Sequence, residues 1–76
     1  MKIVVYGPGC PRCEQTVAAI RNVLAELDVA AELEKVSSLA AIAAAGVPAT
    51  PAVTVDGALK SSGRVPRAEE IRAWLV

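Results

Sequence analysis

The chain contains no histidine and no phenylalanine, and its only aromatic residues are Tyr6 and Trp74. The first absence removes the side chain most used as a metal ligand and as a proton carrier near neutral pH. The second means that any core must be built from aliphatic side chains. Net charge is also missing. Eight Lys and Arg balance eight Asp and Glu, and the charges are scattered rather than run together. That argues against nucleic acid or an anionic membrane as the main partner. No long apolar run exists either. The longest, from Leu39 to Ala49, is broken by Gly46 and Pro48 and is well short of the ~18–20 residues of a membrane span. No signal-peptide pattern precedes the first structural element, because Lys2 leads directly into Ile3-Val4-Val5-Tyr6. A cytoplasmic location is the expectation.

Cysteine is scarce as well: only Cys10 and Cys13 are present. A small secreted domain held by disulfides uses more cysteines, spaced to join distant segments. A pair this close closes a tiny loop and stabilises a fold very little by that route. In a reducing cytosol a Cys-x-x-Cys pair points instead to catalysis or to metal binding.

What is present suffices for one small domain, expected over residues 1–76. The hydrophobic fraction is 54%, far too high for a disordered chain. Ile3 to Tyr6 is a short apolar run that reads as a strand buried on both faces. Gly7-Pro8-Gly9 ends it. Apolar residues then recur at Cys13, Val17, Ile20, Leu24 and Leu27, the spacing of one helix face. Pro11 suits the first helical position and places Cys10 at the N-cap. Val29 to Val36 reads as a second strand, with Glu32 and Glu34 on a wet side, as at a sheet edge. Ser37 or Ser38 caps a short helix carrying Leu39 and Ile42, and Gly46 stops it. Ala52 to Val55 and Ala58 to Ser62 are strands joined by the two-residue turn Asp56-Gly57. Gly63 to Pro66 is a loop. Arg67 to Val76 forms a closing helix, with Glu69 and Glu70 in its first turn favouring the helix dipole.

The order βαβαββα predicts an α/β fold: a four-stranded mixed sheet with helices on both faces. The first βαβ unit is expected to be parallel and right-handed, and the Asp56-Gly57 hairpin antiparallel. If the third strand pairs antiparallel to the first, three segments meet at one edge of the sheet. They are Gly7–Cys13, Pro48–Pro51 and Ser62–Val65, where the unusual residues of the chain lie.

This placement suits thiol chemistry, because a thiolate rather than a thiol attacks a disulfide. At a helix N-terminus Cys10 faces unpaired N–H groups and the positive end of the dipole, both of which favour its thiolate. Arg12 adds a nearby cation. Cys13 lies three residues on, within reach of Cys10 and deeper, at the start of the apolar stripe. The roles follow: Cys10 attacks and forms a mixed disulfide, and Cys13 resolves it. A structural zinc site would need four ligands. With no His and no further Cys, only a dimer sharing two pairs could supply them from these residue types.

The stretches Gly7-Pro8-Gly9-Cys10-Pro11-Arg12-Cys13, Gly46-Val47-Pro48-Ala49-Thr50-Pro51-Ala52 and Ser62-Gly63-Arg64-Val65-Pro66 resemble the thioredoxin superfamily. More closely, they resemble its minimal members, the redox-active disulfide proteins. The resemblance implies a thioredoxin-like fold with strand order 2-1-3-4. It implies that Pro51 is a cis-proline facing the cysteine pair, and that the backbone of Thr50 pairs with an extended substrate strand, a form of strand addition. It implies no cofactor beyond a redox-active Cys10–Cys13 disulfide, a disulfide-containing protein as substrate and an upstream dithiol reductase as electron source. Larger thioredoxins carry Trp before the first cysteine, Gly-Pro between the two and a buried acid near the second. Here the corresponding residues are Gly9 and Pro11-Arg12, and no equivalent acid is evident. Arg64 is a candidate for attracting an acidic substrate or holding the Cys10 thiolate. Two other functions compete: a glutathione-linked, glutaredoxin-like protein, and a small Cys-x-x-Cys metal carrier. Copper-chaperone domains, however, have Met before the first cysteine and a βαββαβ order.

Overall fold

A computed structural model describes residues 1–9 and 11–75. The expected N-cap role of Cys10 and the inclusion of Val76 in the last helix lie outside the described residues. The elements run β1 (Lys2–Tyr6), α1 (Pro11–Leu27), β2 (Glu32–Val36), α2 (Leu39–Ala45), β3 (Ala52–Val55), β4 (Ala58–Ser62) and α3 (Ala68–Leu75). The sheet has the order β2-β1-β3-β4. β1 runs parallel to β2, from Lys2 opposite Glu32 to Tyr6 opposite Val36. It runs antiparallel to β3, from Ile3 opposite Val55 to Tyr6 opposite Ala52. β3 and β4 form the expected hairpin.

Side chains alternate across this sheet. Ile3 and Val5 of β1 and Val53 and Val55 of β3 share one face. They form the main core with Val17, Ile20 and Val23 of α1 and Ile71 and Leu75 of α3. Val4, Ala52 and Thr54 alternate to the other face and are also buried. Ile42 is the one buried residue of α2. Trp74 is partly buried against the main core.

The α1 stripe differs from the expected one. Its buried residues are Cys13, Thr16, Val17, Ile20 and Val23, while Leu27 is 36% exposed. Length explains this. Seventeen helical residues span about 25 Å, whereas the five residues of β1 span about 17 Å. The last turn of α1 therefore overhangs the sheet and has little to pack on.

β2 begins at Glu32 rather than Val29. Asp28 is left-handed at φ 52. Its N–H donates to Ala25 C=O, and the Val29 N–H donates to Leu24 C=O at 3.1 Å. These two bonds are those of a Schellman C-cap. Val29 reads as strand by its branched side chain, yet its N–H completes the helix. At α2 the cap is Ser38, whose hydroxyl accepts from the Ala41 N–H at 3.4 Å, and left-handed Gly46 closes the other end. α3 begins at Ala68, one residue later than expected. Arg67 precedes it, and its N–H donates to the Glu70 carboxylate at 3.2 Å. Glu70 thus serves as the reaching-back half of a capping box.

The Asp56-Gly57 turn has positive φ at both positions, 50 and 86, as a type I′ hairpin requires. The Asp56 carboxylate also accepts from the Lys2 N–H at 2.8 Å, which ties the turn to the start of β1. The hairpin is irregular between Val53 and Thr54, so that Ser61 and Leu59, rather than consecutive residues, face them.

Candidate active site

The ends of the strands place the site. Tyr6 closes β1, Ala52 opens β3 opposite it, and Ser62 closes β4 opposite Ala52. One residue beyond each lies Gly7, Pro51 or Gly63, so the three line one edge of the sheet. α1 starts at this edge, four residues after Gly7.

Cys13 stands in the first turn of α1 and is fully buried. Its Sγ lies over the Gly7 backbone. A Cβ built on Gly7 would fall inside the van der Waals envelope of Cys13 Sγ and 3.0 Å from Cys13 Cβ. Gly7 is itself buried, and its N–H donates to Val36 C=O at 2.9 Å, one step beyond the β1–β2 ladder. One turn along α1, the buried Thr16 hydroxyl donates to Arg12 C=O at 2.8 Å. The hydroxyl is thereby satisfied without a tertiary partner, which lets Thr16 lie inside.

The Thr50–Pro51 peptide bond is cis, and Pro51 is fully buried. Two hydrogen bonds join this segment to the end of β4. The Gly63 N–H donates to Pro51 C=O at 2.9 Å, and the Ser62 hydroxyl donates to Ala49 C=O at 3.0 Å. Thr50 lies between these anchored residues and is half-buried. Among the described residues its backbone N–H donates no hydrogen bond and its C=O accepts none.

A thioredoxin domain family model matches residues 1–76. The chain belongs to the thioredoxin domain family. It is 43% identical to a protein named thioredoxin from Methanothermobacter thermautotrophicus, over 99% of this chain and 97% of the relative. It is 37% identical to a protein named thioredoxin from Methanocaldococcus jannaschii, over 96% of this chain and 84% of the relative.

The thioredoxin edge brings Gly7, Cys13, Ala49, Thr50, Pro51, Ser62 and Gly63 together, while Cys10 lies outside the described residues. Arg64 follows Gly63, but its guanidinium is engaged elsewhere. It binds the Glu70 carboxylate through two hydrogen bonds, at 2.7 and 2.5 Å. These bonds raise the arginine pKa. Glu70 is held down at about 2, first by the Arg64 hydrogen bonds and then by the Arg67 N–H. Arg64 therefore braces the loop before α3. Arg12 is exposed and has no ion-pair partner among the described residues. Lys35 pairs with Glu14 across from β2 to α1.

From the sequence Gly7 is a strand breaker at the converging edge and Glu70 a first-turn acid that favours the helix dipole; neither the close approach to Cys13 nor the bond to Arg64 is expected. The glycine had no local signal for its close approach to Cys13. Glu70 did have one: it lies three residues after Arg67, the spacing of a capping carboxylate. No group of three or more His, Cys, Asp or Glu among the described residues could hold a metal. An open depression of about 490 Å³ lies at the opposite end of the sheet, lined by Met1, Lys2, Ala30, Ala31, Glu32 and Asp56. It shares no residue with the thioredoxin edge and contains no thiol. The candidate chemistry thus sits on an open edge.

Proposed function

We propose that the chain is a thiol–disulfide oxidoreductase that reduces protein disulfides with the Cys10–Cys13 dithiol. The Cys10 thiolate attacks one sulfur of a substrate disulfide. A Cys10–substrate disulfide forms, and the first substrate thiolate leaves. The Cys13 thiolate then attacks the Cys10 sulfur, forms the Cys10–Cys13 disulfide and releases the second substrate thiolate. Two electrons pass from the pair to the substrate, and the thiolates take protons from water. An upstream dithiol reductase returns the electrons by the same exchange in reverse. No cofactor takes part, and the cycle suits a reducing cytoplasm.

The observation that carries this reading is the seat of Cys13. Its sulfur is buried against Gly7 in the first turn of α1, three residues from Cys10, in a chain of the thioredoxin domain family. A buried partner thiol is shielded from bulk oxidants, as a resolving cysteine requires. The N-terminal turn of α1 favours a thiolate at Cys10, and exposed Arg12 adds positive charge beside it. Thr50 supports substrate binding by strand addition, because its backbone groups are open to an incoming extended segment.

Trapping tests the proposal. Cys13→Ser should accumulate mixed disulfides on Cys10, and Cys10→Ser should trap none. Non-reducing gels and mass spectrometry of cell-extract captures read both. If Cys13→Ser instead keeps full glutathione-dependent turnover, the protein is glutaredoxin-like. If neither variant traps a partner and the wild type reduces no disulfide, the proposal fails.

A further inference from the structure

The chain is neutral overall, yet its charges are separated along the molecule. Four ion pairs cancel eight side chains: Lys2–Glu34, Lys35–Glu14, Arg64–Glu70 and Arg72–Glu26. Four cations and four anions remain, and their positions are uneven. Arg12 is exposed in the first turn of α1 and Arg67 is exposed just before α3. Both helices start at the thioredoxin edge, so both cations stand at that end. Arg67 also acts on Glu70, which makes the Arg64–Glu70–Arg67 group net positive by one. Asp28, Glu32 and Asp56 are exposed at the opposite end, after α1, at the start of β2 and in the hairpin turn. The Met1 amino group offsets one of these. Glu69 is exposed in the first turn of α3, two residues from Arg67, and also acts on Arg72; it offsets one of the cations at that end. Arg21 and Lys60 lie midway along α1 and β4.

The backbone adds to the same polarity. α1 has 17 residues and α3 has eight, and both present their N-termini to the thioredoxin edge. Each N-terminus carries a partial positive charge of about half a unit. Glu69 and Glu70 offset that of α3, so the edge that holds Cys13, Thr50 and Pro51 is the positive end of a neutral molecule chiefly through unpaired Arg12 and the N-terminus of α1, facing the acidic far end. The Val36–Val55 stretch, which leads through α2 to Pro51, contains no charged residue and does not counter it.

Resting on the oxidoreductase reading, we propose that the preferred substrates are protein disulfides flanked by acidic residues, oriented and drawn to the site by this polarity. The field acts on encounter, so it sets the association rate more than the chemistry at sulfur.

Two disulfide-linked peptides of the same length, one flanked by Asp and one by Lys, test the proposal. The reduced full chain is mixed with each, and second-order rate constants are measured. At ~10 mM ionic strength, where the Debye length is about 30 Å, the Asp peptide should be reduced about tenfold faster. At ~1 M, where that length is about 3 Å, the two rates should converge. Arg67→Gln should lower the low-salt ratio, whereas Glu32→Gln, at the far pole, should not. Equal rates, a preference for the Lys peptide, a salt-independent ratio or no response to Arg67→Gln would overturn the assignment. Neutral bis(2-hydroxyethyl) disulfide separates the two readings. If it is reduced while the peptides react equally, only the steering fails. If it and both peptides stay oxidised, the oxidoreductase reading fails.

Discussion

Gly7 and Cys13 are in such close approach that the sulfur of one occupies the space where the other would carry a Cβ. Both residues are buried, so neither has free room to retreat. Gly7→Ala should force the first turn of α1 away from β1. The expected cost is about 1–3 kcal/mol, as for other overpacked interiors, read from urea unfolding midpoints. The variant should also slow release of the second substrate thiol more than formation of the mixed disulfide. Stopped-flow measurement of the two steps checks this, and equal slowing would count against a positioning role for Gly7.

Glu70 makes folding sensitive to acid. Its carboxyl titrates at about 2 in the folded protein, against 4.5 for an unperturbed glutamate, chiefly through the Arg64 hydrogen bonds. A lowered folded-state value adds stability above pH ~4.5, and that stability is lost as pH falls toward ~2. Glu70→Gln should therefore flatten part of the fall in urea midpoint between those two values. Because the pair lies at the surface, added salt should reduce the difference between wild type and variant.

Ser61 is 5% exposed, and its hydroxyl has no hydrogen-bond partner among the described residues. An unsatisfied buried hydroxyl costs about 1–3 kcal/mol. Ser61→Ala should leave stability unchanged or raise it by up to about 1 kcal/mol, the lower strand preference of Ala offsetting part of the gain. A clear drop in denaturation midpoint would show that the hydroxyl is bonded in solution.

Two aliphatic residues of α1 should separate sharply. Ile20 is fully buried in the main core, whereas Leu27 is 36% exposed on the overhanging last turn. Ile20→Ala should cost about 2–5 kcal/mol, a large share of the stability of so small a domain. Leu27→Ala should cost less than about 1 kcal/mol. Thermal or urea denaturation compares them directly.

Periodicity and turn chemistry were legible in this chain because they act between near neighbours. Ser38 and Gly46 mark the ends of α2 by side-chain chemistry and a left-handed φ. Asp56-Gly57 marks the tight hairpin by its turn residues, and the strand order that the thioredoxin resemblance implied is the observed one. The misplacements have local causes too. Val29 was drawn into a C-cap, and Leu27, at the end of the stripe, ran past the sheet while Leu24 still packs on the core.

The sequence by itself determined the order of elements, the three-residue spacing of the cysteines and the edge at which unusual residues collect. Only the tertiary structure decided what meets there. Gly7 and Cys13 touch because α1 crosses the end of β1, a distance that helical spacing does not report. Arg64 turns to Glu70 because the loop and the first turn of α3 fold onto each other. A neutral composition conceals a positive pole, because charge separation depends on which way each strand and helix runs. Neighbour-to-neighbour forces are written along the chain, whereas contacts and fields between distant segments exist only once the sheet has set their directions.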